Sequence, residues 1–135
     1  MRTAFRIVAS LTSLSVIVQV GLAGYGAFNA IDKADSDHSI TKKQIENGFD
    51  PHGVVGTIVL ALMVILVLVA LVAKHGTRVA AILLVLGIVQ MLLAWGGTSQ
   101  AWVGFLHGVN ALAIAGIAGS LAGSEWKAAR VASPA

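Results

Sequence analysis

The sequence predicts an all-α membrane protein, four transmembrane helices in an up-down-up-down antiparallel bundle with both termini cytoplasmic. Three observations carry that expectation. Four apolar runs follow one another with short connections between the second, third and fourth. Only 11% of the 135 residues are charged, whereas a soluble domain carries about 25%. The mean hydropathy is +0.87, and the lysines and arginines are divided unevenly between the two ends of the runs.

Met1 to Arg6 is a short basic start containing Arg2 and Arg6. Residues 7–28 form the first apolar segment, long enough for a hydrocarbon core that needs about 20 helical residues. Gly21-Leu-Ala23 is a passable small-residue cleavage site. The apolar run is longer than a signal-peptide core of about 7–15 residues, however, so the segment is read as a retained span. Residues 29–50 are polar and read as one long extracytoplasmic loop ending in Asp50-Pro51, the pattern of an N-cap followed by a first-turn proline. The second span is 52–73, and Lys74-His-Gly-Thr-Arg78 is a tight basic turn. The third span, 79–97, stops at Gly96-Gly97-Thr98-Ser99, with Trp95 and Trp102 placed as an interfacial aromatic pair. The fourth span is 101–123, and 124–135 reads as a small, basic, mobile cytoplasmic tail. No internal repeat is evident.

Six cationic residues (Arg2, Arg6, Lys74, Arg78, Lys127, Arg130) fall on one side of these spans. Three (Lys33, Lys42, Lys43) fall on the other, beside Asp32, Asp35, Asp37, Glu46 and Asp50. The positive-inside rule then places both termini in the cytoplasm and the acidic segment outside. The nine Lys/Arg are scattered along membrane-flanking segments and form no patch, so the net charge of +3 is a topology signal and not a nucleic-acid footprint.

Several function classes drop out. There is no cysteine, which removes disulfide scaffolds, thiolate metal sites and dithiol redox chemistry. No Asp, Glu, Lys or Arg lies inside an expected span, so the intramembrane carboxylate on which many proton-coupled carriers depend is missing. Ser10, Ser13 and Ser15 lie far from every histidine, no nucleophile–base pair is visible, and the chain reads as a non-enzyme.

The strongly polar side chains inside the spans are Gln19, Gln90, His107 and Asn110, with His52 at the start of the second span. At 1.5 Å per residue from the outer ends, Gln19 lies about 13 Å deep, Gln90 about 8–10 Å, His107 about 9 Å and Asn110 about 14 Å. Every span thus contributes a polar group to the outer half of the bundle. Such groups commonly bond neighbouring helices together. His38 and His75 read as loop residues. Spans two and four are diagonal partners in a four-helix ring, and helix bundles hold cofactors between facing side chains. His52 and His107 are therefore the candidate axial ligands of one haem iron. Small neighbours, Gly53 and Gly56 on one helix, Gly104 and Gly108 on the other, would admit a planar macrocycle or simply allow close helix packing. On these spans His52 lies at the helix end, about 7–8 Å shallower than His107.

Two resemblances bear on this. The pattern Gln19-x-x-Leu22-Ala23-Gly24, His52-x-x-x-Gly56, Gln90 and His107-x-x-Asn110-Ala111 resembles an uncharacterised bacterial family of small four-span membrane proteins, over nearly the whole chain. The chain is also similar in architecture to one four-helix half of haem A synthase, which has a histidine near the outer end of helices two and four. That likeness implies His52 and His107 as axial ligands. The synthase pattern has Arg after the first histidine and Glu three residues before it, where this chain has Gly53 and Phe49. The oxidative chemistry of the synthase is therefore not carried over, only the haem-holding geometry.

Three functions follow as expectations. The first is a bis-histidine b-type haem protein for electron transfer or redox sensing, with Gln19, Gln90 and Asn110 orienting the imidazoles and the quinone pool or a respiratory-chain protein as partner. The second is an accessory or assembly subunit whose polar residues are interhelical glue. The third is a carrier of a small neutral or lipidic molecule.

Overall fold

The computed structural model describes residues 1–37 and 39–131. They form four helices, α1 (Arg2–Asp37), α2 (Lys42–Ala73), α3 (Thr77–Gly97) and α4 (Ala101–Val131). Each is long and apolar enough to cross a membrane, the architecture of a multi-pass membrane protein. α1 packs on α2 and α4, and α3 packs on the same two. The backbones of α1 and α3, and of α2 and α4, stay apart, so the helices close a ring with two diagonals.

The helices overrun the expected spans. α1 has 36 residues, about 54 Å at 1.5 Å per residue. α3, with 21, is the one that matches a hydrocarbon core of about 30 Å. The segment 29–50 is accordingly helical at both of its ends. Its first part continues α1 to Asp37, and from Lys42 onward it is α2. The reason is a capping box at Thr41: the Gln44 backbone N–H donates to Thr41 Oγ1 at 3.3 Å, and the Thr41 N–H donates to Gln44 Oε1 at 2.8 Å. An exposed Lys42–Glu46 pair at 3.5 Å, one turn apart, supports the same first turns. The expected start at Asp50-Pro51 is therefore wrong. Pro51 stands inside α2, where its missing N–H leaves the Asn47 carbonyl without its helical donor. Residues 124–131 of the expected tail are helical, continuing α4 to Val131. His38 and residues 132–135, on which the loop and tail expectations partly rested, lie outside the described residues.

The α2–α3 connection is tight because two of its residues are left-handed. Lys74 (φ 50°) caps α2 by donating its N–H toward the Ala70 and Leu71 carbonyls, and Gly76 (φ 69°) opens α3. Gly76 also lies directly against the Phe5 ring, which would collide with a Cβ there.

The tightest packing lies on one side of the ring's length. Phe5, Thr12, Met63, Leu66 and Leu83 are fully buried there, with Ala9, Ala70, Ala80 and Ala118 filling the gaps. Small residues bring the backbones together where lipid supplies no hydrophobic drive. Gly87 is one of them, and its Cβ position is already occupied by Met63 and Leu60 of α2. The core ends at Val16, Val59, Gly87 and Ile114. Within one turn of those residues come Gln19, Gln90, Asn110 and, two turns before Val59, His52. The polar groups thus occupy the level at which close apolar packing gives out.

Replacing Gly76 tests the turn. Gly76→Ala should destabilise the folded protein by at least about 1–2 kcal/mol, the cost of a Cβ in the left-handed region, and more through the Phe5 contact. The measurement is SDS-induced unfolding in mixed micelles. An unchanged midpoint would remove this account of the α2–α3 turn.

Candidate functional site

A partly buried histidine between apolar helices gains by placing its ring N–H on an acceptor. Both span histidines do so in the same way. His52 Nδ1 lies 3.1 Å from the backbone carbonyl oxygen of Gln19 on α1. His107 Nδ1 lies 3.1 Å from the backbone carbonyl oxygen of Gln90 on α3. A carbonyl only accepts, so in both rings Nδ1 carries a proton, and in the neutral form Nε2 is the acceptor. The pairing repeats across the bundle, glutamine to histidine in α1–α2 and again in α3–α4, although no repeat is visible in the sequence.

The two imidazoles meet across the diagonal. Their ring centroids are 6.1 Å apart, with the planes at 61°. The rings meet although the two helices begin at different distances from them. His52 then stands ten residues inside its helix, about 15 Å from its end, and the helix end is no guide to its depth. Phe49, one turn earlier, sets its ring edge-to-face against His52, 6.3 Å between centroids. The same phenyl lies over Gly26 of α1, whose Cβ would come within 2.8 Å of it. Phe49 therefore fills one side of the site, a role the sequence did not flag. Its signal was position alone, three residues before His52.

The two halves differ in their side-chain amides. Gln90 Nε2 stands 3.1 Å from His107 Nε2 and donates to it. Gln90 Oε1 accepts from Asn110 Nδ2 at 2.6 Å, and the same amide nitrogen donates to the Leu86 carbonyl at 3.0 Å. His107, Gln90 and Asn110 form one closed network between α3 and α4. Gln19 turns the other way. Its amide nitrogen occupies the space above Gly56, where a Cβ would meet it at 2.7 Å. Its Oε1 is buried with no hydrogen-bond partner. No hydrogen bond to His52 Nε2 occurs among the described residues.

The glycines divide in the same way. Gly56 makes room for Gln19, and Gly104 lies backbone to backbone with Gly97, where a Cβ on Gly97 would stand 3.1 Å from the Gly104 Cα. Gly53 and Gly108, each beside a histidine, face open space.

A second polar cluster stands at the other end of the core. His75 Nε2 donates to Glu125 Oε1 at 2.7 Å, and the His75 ring packs edge-on against Phe5, 5.5 Å between centroids. Nearby, Trp126 Nε1 donates to Ser10 Oγ at 2.8 Å while the Arg6 guanidinium lies 5.4 Å from the indole centre. His75 lies in the turn between α2 and α3, where it was expected, and this contact ties that turn to α4. The readable signal was Glu125, the only acidic residue outside 32–50. These contacts tie the start of α1 and the α2–α3 turn to the end of α4.

Removing Gln90 and Asn110 separately and together measures the network. Gln90→Leu and Asn110→Leu should show a coupling of roughly 0.6–1.7 kcal/mol in a double-mutant cycle of detergent unfolding, the range for intramembrane hydrogen bonds. Strict additivity would mean the 2.6 Å contact contributes nothing. Comparison with known proteins finds no matching family model, no matching curated protein and no matching solved structure.

Proposed function

We propose that the protein is a small bis-histidine haem protein of the bacterial plasma membrane, with His52 and His107 as the axial pair and electron transfer or redox sensing as its task. The single observation that carries this reading is the 6.1 Å between the imidazole centroids. Imidazole nitrogens bind first-row metals at about 2 Å, so two rings on opposite sides of one ion have centres about 6 Å apart. Their protons already sit on Nδ1, directed at carbonyls, which leaves Nε2 as the ligating atom on each.

The donor set favours haem over a metal held by protein groups alone. Among the described residues, no three His, Cys, Asp or Glu side chains come together in one place. A haem iron needs only two, because the macrocycle supplies the remaining donors. When bound, the group supplies a one-electron couple. The protein's part is to fix both rings through the Gln19 and Gln90 carbonyls and to set Phe49 as a wall. For His107 to ligate, the Gln90 amide releases Nε2 while the Nδ1 bond stays in place.

In this reading the ring is an up-down-up-down antiparallel bundle with both termini cytoplasmic. Its support is the excess of Arg2, Arg6, Lys74, Arg78, Lys127 and Arg130 at one end. The haem level then lies toward the outer face, and a membrane quinone or a respiratory-chain protein is the exchange partner. A second reading has its own observation: the His107–Gln90–Asn110 network is complete without any cofactor, as expected of an assembly subunit whose polar residues bond helices together.

Visible spectroscopy of the detergent-purified protein, expressed with ample haem, separates the two. The expected result is a Soret band at one haem per chain that sharpens its long-wavelength bands on dithionite reduction. The His52→Ala/His107→Ala double variant should have none. Wild-type protein without a stoichiometric Soret band leaves the glue reading standing. A C-terminal alkaline phosphatase fusion should be inactive in cells, and an active one would reverse the orientation.

A further inference from the structure

At the end of the bundle where α1 begins and α4 ends, the charges do not balance. Arg2, Arg6, Lys127 and Arg130 stand on those two helix ends, and Glu125 is the only acidic residue of the chain outside residues 32–50. Glu125 is already engaged, since its side chain is mostly buried and accepts from His75 Nε2 at 2.7 Å. Among the described residues no acidic group pairs with Arg6.

Arg6 is nevertheless held in one position. Its guanidinium lies 5.4 Å from the centre of the Trp126 ring. The indole is fixed in turn, because its Nε1 donates to Ser10 Oγ at 2.8 Å and that hydroxyl donates to the Arg6 carbonyl at 2.8 Å. Arg6 Nη2 donates to Thr3 Oγ1 at 3.0 Å, and Nε is buried without any acceptor. A snorkelling arginine keeps its head in water. This guanidinium is instead partly desolvated, oriented, and short of both counter-charge and acceptors. Phosphate oxygens match the guanidinium fork and would supply both.

Thr3, Arg6, Ile7, Ser10, Leu14 and Ile17 recur at spacings of three and four, so they share one face of α1. Ile7, Leu14 and Ile17 are exposed on it. Polar groups thus stand at the helix end and apolar ones follow along the span, the order of a phospholipid's headgroup and acyl chains. That order commits the site to a membrane lipid and not to a soluble phosphate.

We propose that Arg6, Trp126, Thr3 and Ser10 form a binding site for the phosphate of one anionic phospholipid. The Arg6 Nη groups and the Thr3 hydroxyl donate to its oxygens, with Trp126 and Ser10 holding the guanidinium in place. Arg2, one turn earlier on α1, favours a headgroup of net negative charge over a zwitterionic one. The site needs no haem and is independent of the histidine pair.

Native mass spectrometry of the detergent-purified protein tests it, with phosphatidylglycerol as the probe, phosphatidylcholine as the zwitterionic lipid and inorganic phosphate as competitor. Wild-type protein should retain one phosphatidylglycerol saturably, bind phosphatidylcholine more weakly, and keep its lipid in phosphate. Arg6→Gln should weaken phosphatidylglycerol binding roughly tenfold, the worth of one charge-assisted hydrogen bond. Trp126→Leu should act in the same direction. Arg78→Gln removes the same charge from α3, across the ring, and should change little. Arg6→Lys keeps the charge without the fork and should fall between wild type and Arg6→Gln, which serves if the latter fails to accumulate. Equal losses in Arg6→Gln and Arg78→Gln, the behaviour of a general basic belt, overturn the site. So do equal retention of the two lipids, displacement by inorganic phosphate, a wild type that retains no phosphatidylglycerol, or wild-type binding in Arg6→Lys.

Discussion

The structure turns on where an imidazole can put its proton when almost everything around it is hydrocarbon. His52 and His107 both answer with a backbone carbonyl of the neighbouring helix, Gln19 for one and Gln90 for the other. Such an oxygen has a second lone pair free after its own helical bond, so the contact takes nothing away from the helix that supplies it. It fixes the tautomer, fixes the ring, and holds α1 to α2 and α3 to α4 at one level. The diagonal approach of the two rings at 6.1 Å is a consequence, because each ring is held from the side by its own helix pair.

That level is also where the packing changes character. On one side of it Met63, Leu66, Leu83 and small residues close the ring tightly. At the site the contacts are amides, imidazoles and a phenyl group. A close-packed apolar plug at one end and a looser polar level at the other is a sensible division of labour for a short bundle. The plug supplies dispersion contacts that lipid cannot replace, while the polar level retains groups that are too expensive to keep in a membrane without a partner. The His75–Glu125 and Trp126–Ser10 contacts close the far end of the plug in the same way.

The repeated glutamine–histidine pairing makes the departures from it informative. The backbone half of the motif is kept in both helix pairs. The side-chain half is kept only in α3–α4, where Gln90 bonds His107 and Asn110. In α1–α2, Gly56 accepts the Gln19 side chain and draws it off the ring. Gly56 on one side and Asn110 on the other thus make the two histidines chemically distinct.

By itself the sequence determined the class of the molecule. Four long apolar runs with few charges can bury their backbone polarity only as helices in a membrane, and the polar residues that interrupt those runs, Gln19, His52, Gln90, His107 and Asn110, are conspicuous there on composition alone. Helix ends were less legible. Asp50-Pro51 reads locally as a start, yet the Thr41–Gln44 capping box lies nine residues earlier and packing against α1, with Phe49 over Gly26 and Asn29 over Gly48, carries the helix through the proline. Only the tertiary structure decided which groups meet. Gln19 and His52 are 33 residues apart and Gln90 and His107 are 17, and their contacts depend on the rotation and depth of whole helices. In an all-round apolar helix no hydrophobic face sets that rotation. The hydrogen bonds and the small-residue contacts such as Gly87 against Met63 set it, and both exist only once the helices have come together.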